Sequence, residues 1–159
     1  MDGDGFEAWY RREHPRLISA LAIAAGNVGV AAEAADEAFT RAFERWERVR
    51  VMESPGGWTY RTALNVLRRR WRRGSLERRA SSRVDVIVPA EWSSEVWDAV
   101  RRLPIRERTA VALRYVADLT TEEIANVMGV APGTVGSTLH AARQHLAAAL
   151  APEQESEHA

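Results

Sequence analysis

One stretch near the C-terminus, Leu119 to Leu146, limits what this chain can fold into more than any other. Thr120 is a good helix N-cap, and Glu123 three residues on completes a capping box. Leu119, just before the cap, is placed to staple onto Ile124. Ile124, Ala125 and Met128 form one apolar side at helical spacing. Gly129 then stands where a helix end needs left-handed backbone. Pro132 opens a second helix, because its missing N–H would go unpaired there anyway. Val135, Leu139, Ala142 and Leu146 follow at steps of four, three and four, so that helix buries one side. Two short helices around a glycine corner are the pattern of a helix-turn-helix. Small Ala125 lets the helices cross closely, and the N-terminal half of the second helix is left to enter a groove. The same spacing also suits an ordinary helical hairpin in a bundle.

The rest of the chain reads as helix too, with no strand pattern and no internal repeat. Phe6 to Ala25 is the first, with Phe6, Trp9, Tyr10, Leu17, Leu21 and Ala24 inward. Pro15 should kink or split it, and Gly26-Asn27 should end it. The second runs from Ala31 to Val49, with Ala35, Phe39, Ala42, Trp46 and Val49 toward the core. Its outer face carries Glu33, Glu37, Thr40, Arg41, Glu44 and Arg48. Ser54 and Pro55 start the third as N-cap and first residue. Tyr60, Leu64, Leu67 and Trp71 make its buried stripe, and Arg61, Asn65, Arg68 and Arg72 a polar one, widened by Arg69, Arg70 and Arg73. Five arginines from Arg68 to Arg73, with only Glu77 near in sequence, cannot neutralise one another. Guanidinium groups fit phosphate, so the stripe is a candidate nucleic-acid contact; a solvated basic helix end is the alternative.

Gly74 to Glu91 has no periodic apolar face and reads as a linker. Helices are expected over Trp92 to Leu103 and Ile105 to Ala117, broken at Pro104. After Leu150 the tail is acidic and expected to be disordered. The expected fold is therefore all-α, with two small helical domains: residues 1–74, a linker over 75–91, a four-helix domain over 92–150 ending in the helix-turn-helix, and a tail over 151–159.

Composition removes several function classes. A hydrophobic share of 46% supports a packed core, and there is no cysteine to form a disulfide or thiolate site. His140 and His145 are five apart and do not share a helix face, so no metal site is expected. No nucleophile–base pair or phosphate loop occurs, which argues against an enzyme, a cofactor or a small-molecule substrate. No stretch approaches the ~20 apolar residues of a membrane span, and no signal segment leads the chain. The expected location is the cytoplasm. Formal net charge is zero, so any nucleic-acid contact must be local rather than general.

Taken in order, these parts resemble an extracytoplasmic-function sigma factor of bacterial RNA polymerase. The matching stretches are Phe6-Glu7-Ala8 with Tyr10-Arg11-Arg12 and Pro15-Arg16-Leu17; Asp36-Glu37-Ala38-Phe39 with Arg41-Ala42; Ser54-Pro55 with Trp58, Tyr60-Arg61 and Asn65; Leu103-Pro104 with Arg108; and Leu119 with Glu122-Glu123-Ile124-Ala125, Met128-Gly129-Val130 and Gly133-Thr134-Val135. The resemblance implies that Glu33, Asp36, Glu37 and Arg41 bind the polymerase core. It implies that Arg61, Asn65, Arg68, Arg69 and Arg72 contact the minus-ten element of promoter DNA. Thr134, Ser137, Thr138, His140 and Arg143 would contact the minus-thirty-five element. An anti-sigma factor is a further partner that such a protein can have. Trp58 and Trp71 would stack on unpaired bases in this scheme, although their spacing places them in the buried stripe.

The chain departs from the family pattern in three respects. Gly136, Thr138 and Ala141 stand where a cationic side chain is usual, Asp36 where glutamine is usual, and Arg69 where aspartate is usual. The thinned second helix of the helix-turn-helix supports one alternative, a degenerate sigma-like protein acting by protein–protein contact. A stand-alone helix-turn-helix regulator is another, but it leaves the arginine helix of the first domain unexplained.

Overall fold

The computed structural model describes residues 3–73 and 89–152. Among these there are eight helices and no strand: α1 Gly3–Ala25, α2 Val28–Glu44, α3 Trp46–Val49, α4 Pro55–Arg72, α5 Ser94–Arg101, α6 Ile105–Tyr115, α7 Thr121–Met128 and α8 Pro132–Leu150. The expected linker falls mostly, and the expected tail almost wholly, outside the described residues.

Pro15 does not split α1, which runs on through it, and that part of the expectation is corrected. The proline removes only the donor to the Arg11 carbonyl. Beyond it every residue from Leu17 to Ala24 is buried, because α1 is enclosed by α2, α4 and α6. Packing on several sides outweighs one missing hydrogen bond. The helix stops at Gly26, which is left-handed at φ +68°.

The second helix starts earlier and ends sooner than its periodicity predicts. Asn27 is its N-cap, accepting from the Val30 N–H at 3.1 Å, so this residue opens α2 rather than merely closing α1. The chain leaves helical geometry at Arg45 and resumes as the single turn α3. The offset puts Trp46 into an aromatic cluster, 5.0 Å from Trp9 and 5.3 Å from Phe6 between ring centroids. Ala35, Phe39, Ala42, Trp46 and Val49 are all buried, as their spacing predicts.

The start of α4 is as read. The Ser54 hydroxyl accepts from the Gly57 N–H at 3.0 Å, and Pro55 opens the helix. A side chain at 57 would lie 2.6 Å from that hydroxyl, so the cap needs glycine there. Helix α5 begins only at Ser94, capped by Ser93, and α6 ends at Tyr115, both shorter than expected. The capping box of Thr120 and Glu123 is formed, Gly129 is left-handed at φ +70°, and Pro132 starts α8.

The two halves do not stand apart. Helix α1 packs on α6 and α4 packs on α7, so one continuous core includes Leu67 of one half with Ile124 and Val111 of the other. Polar contacts among the described residues also join them. The Arg108 guanidinium donates to the Ala24 carbonyl through Nε at 3.0 Å and Nη2 at 2.9 Å. Arg68 donates to the Met128 carbonyl at 3.0 Å, and the Ser54 hydroxyl lies 3.4 Å from Glu123.

Candidate nucleic-acid interface

The polar side of α4 is built in two parts. One part faces α2. Arg70 pairs with Glu33, and Arg69 lies 3.7 Å from Glu37, which also holds Arg41 one helical turn on. The expectation that the arginine run lacks acids is thereby corrected. Glu33 lies 37 residues before Arg70, and only the side-by-side packing of α2 and α4 brings the acids across. These pairs are largely exposed, so each contributes little, on the order of 0–1 kcal/mol.

The other part of α4 keeps its charge unbalanced. Arg61, Asn65 and Arg72 are exposed and share a face. Arg68 is half-buried, where the α7 corner covers it. Burial, and then the nearby charges of Arg106 and Arg72, lower its pKa below the ordinary arginine value. Trp58 and Trp71 are half-buried against the core rather than free for stacking.

On α8, Val135, Leu139 and Ala142 are buried and Leu146 is half-buried, as the stripe predicts. Thr134, Gly136, Ser137 and His140 are exposed, and Thr138 is half-buried. The Ser137 hydroxyl donates to the Thr134 carbonyl at 3.0 Å. Arg143 is held differently from its neighbours. Its guanidinium donates to the Tyr115 hydroxyl at 3.1 and 3.3 Å, beside a small apolar pocket that Trp92 and Val96 also line. His145 lies 2.6 Å from Glu107.

Among the four residues read as facing a protein partner, Asp36 stands out. Its carboxylate makes no ion pair among the described residues, whereas Glu33, Glu37 and Arg41 are paired. It borders a groove of about 290 Å³ lined by Phe6, Tyr10, Phe39, Thr40 and Phe43. Phe43 is 43% exposed, a large apolar side chain beside an acid. Periodicity does not reveal this feature, because Phe43 lies one step off the inward stripe.

Among the described residues no cluster of side chains could hold a metal ion, and no helix is long and apolar enough to cross a membrane.

Comparison with known proteins gives this arrangement its family. Residues 9–77 match the model of Sigma-70 region 2, and residues 93–146 match that of Sigma-70, region 4. The chain is 26% identical over 141 residues to the ECF RNA polymerase sigma factor SigW of Bacillus subtilis, covering 76% of this chain and 75% of that protein. It is 26% identical over 148 residues to the RNA polymerase sigma-E factor of Streptomyces coelicolor, covering 89% and 83% respectively. The sigma-E factor of Streptomyces antibioticus is 32% identical over 117 residues, 69% of this chain and 64% of that one. In fold the chain is similar to the sigma factor RpoE of Bartonella quintana, solved with the anti-sigma factor NepR. The TM-score is 0.70 at 19% identity, over 92% of this chain and 96% of that one. The order of capped helices, the two matched regions and these relatives place the chain in the sigma-70 family, as an extracytoplasmic-function RNA polymerase sigma factor that directs core polymerase to promoters and initiates transcription.

Proposed function

We propose that three surfaces divide this work. Residues 1–74 and 92–150 are the two working units, 75–91 join them, and 151–159 are a tail. The outer face of α2 binds the polymerase core through Asp36, Glu33, Glu37 and Arg41, with the aromatic groove at Phe43 as an added apolar anchor. Helix α4 contacts the minus-ten element, where the positive stripe follows the strand backbone. The exposed start of α8 meets the minus-thirty-five element through Thr134, Ser137, Thr138 and His140, with Arg143 joining once Tyr115 releases it. The reaction itself belongs to the polymerase; this chain is a specificity subunit rather than an enzyme, and it works in the cytoplasm. The solved relative was captured with an anti-sigma factor, which supports such a factor as a further partner.

The observation that carries this reading is the unbalanced face of α4. Arg61, Asn65 and Arg72 are exposed together, with no ion pair among the described residues, while Arg69 and Arg70 are held by α2. Unbalanced guanidinium groups on a rigid helix suit a phosphate backbone. Arg68 and Arg69 join the set when the Met128 carbonyl and Glu37 release them. Replacing Arg61 and Arg72 by alanine should reduce permanganate reactivity of the melted promoter strand with core polymerase present. It should also flatten the salt dependence by about 0.7–0.9 per lost contact on a log–log plot. An unchanged footprint and slope would remove α4 from the promoter contact.

A further inference from the structure

A cleft of about 440 Å³ lies between the two halves, and its charge is unusual. Arg68, Trp71 and Arg72 line it from α4, Arg106 and Thr109 from α6, and Met128 from the corner of the helix-turn-helix. Three guanidinium groups thus surround one concavity, and among the described residues no carboxylate lines it. Arg72 and Arg106 make no ion pair among the described residues, and both are exposed. Arg68 spends one Nη on the Met128 carbonyl, which leaves most of its five donors unspent. The charges of Arg106 and Arg72 act on Arg68 strongly enough to add to the effect of burial on its pKa.

Like charges held together at a partly apolar wall cost energy that a counter-ion would recover. The wall here includes Leu64 and Ile105. Arg106 also lies in the first turn of α6, whose N-cap Pro104 makes no side-chain cap bond, so the first amides of that helix favour negative charge as well. One phosphate cannot meet three guanidinium groups from two elements as well as a chain of phosphates can. We propose that this cleft binds a small anion carrying two or more phosphate groups, either an inorganic oligophosphate or the phosphate tail of a nucleotide. The bound anion bridges Arg68 and Arg72 of one half to Arg106 of the other and so holds the halves together. It also competes with promoter DNA for the two α4 arginines, whereas Arg106 serves the cleft alone.

The test is calorimetric titration of the full chain at low salt with orthophosphate, pyrophosphate, tripolyphosphate and a purine nucleoside triphosphate. The longer phosphates should bind and orthophosphate should bind more weakly. Tighter binding of the nucleotide than of tripolyphosphate identifies a nucleotide site; equal binding identifies a site for the phosphate chain alone. Arg106→Gln and Arg72→Gln should each weaken binding by at least about tenfold, the cost of losing a charge-assisted contact. Arg48→Gln, an exposed arginine outside the cleft, should leave binding unchanged. Absence of heat with every anion, wild-type affinity in Arg106→Gln, or equal loss in Arg48→Gln would overturn the site. Neither DNA nor polymerase is present, so the outcome is independent of the promoter assignments.

Discussion

Tyr60 shows how single residues set the stability of this fold. Its side chain is 2% exposed, and among the described residues its hydroxyl has no hydrogen-bond partner. Burial, reinforced by Glu13 and partly offset by Arg16, raises its pKa well above the ordinary 10.0. The sign follows directly. The folded chain keeps the phenol neutral while the unfolded chain ionises it, so the stability is fully present below pH 10.0 and is lost as pH climbs beyond it. Tyr60→Phe should therefore be neutral, or stabilising by up to about 1 kcal/mol, near neutral pH. It should also flatten the alkaline fall in stability. Urea midpoints at neutral and alkaline pH measure both effects. A destabilisation of the variant at neutral pH would mean that the hydroxyl has a partner worth keeping. The periodicity of α4 already placed Tyr60 inward, because burial follows the stripe. The missing partner was not legible, since it depends on which polar atoms other helices bring near.

At the scale of elements, the caps at the start of α4 and around the helix-turn-helix were the most legible parts. Ser54-Pro55, Thr120 with Glu123, and Gly129 each act within four residues, so their chemistry is written locally. What a helix face meets is not local. The arginine run looked unbalanced until α2 brought Glu33 and Glu37 across, and the α2 face looked purely polar although Phe43 opens onto it. This yields a discriminating experiment on core binding. Asp36→Lys and Phe43→Ala should both weaken capture of core polymerase, because one is an unpaired acid and the other an exposed anchor. Glu33→Gln should act less, because its carboxylate is already engaged by Arg70. Equal effects from all three would mean that only the total charge of the face matters. Helix α8 permits a simpler test. Gly136 is exposed and a Cβ there would meet nothing within 4 Å. Gly136→Ala should raise stability by roughly 0.5–1 kcal/mol, read as a higher urea midpoint with unchanged slope.

At the scale of the whole molecule, the two helical parts that the sequence suggests pack against each other through one core. The joining contacts are invisible to any window along the chain, because Arg108 and Ala24 are 84 residues apart, Ser54 and Glu123 are 69 apart, and Arg68 and Met128 are 60 apart. Arg108 is the central one. It spends Nε and Nη2 on the Ala24 carbonyl at the end of α1 and Nη1 on the Arg101 carbonyl at 3.2 Å. It thus supplies donors to carbonyls that their own helices leave open at the C-terminal end. Burial depresses its pKa, yet arginine keeps its proton across the accessible pH range, so the contact is not a pH switch. Arg108→Ala should cost about 1–3 kcal/mol, the range for a hydrogen bond from a charged donor whose partner is then left unmet. The shape of the transition tells more than its midpoint. If the packed halves unfold as a unit, the native chain gives a single calorimetric transition whose van't Hoff and calorimetric enthalpies agree. Tryptophan residues lie on both sides of the joint, Trp9 and Trp46 on one and Trp92 and Trp97 on the other. Replacing Trp92 and Trp97 by phenylalanine would confine the fluorescence signal to the N-terminal half. Its midpoint should still coincide with the loss of total helix in the Arg108 background. Separation of the two midpoints should then appear on adding Arg108→Ala. Two separate transitions in the chain that retains Arg108 would instead show that the joint contributes nothing to cooperativity.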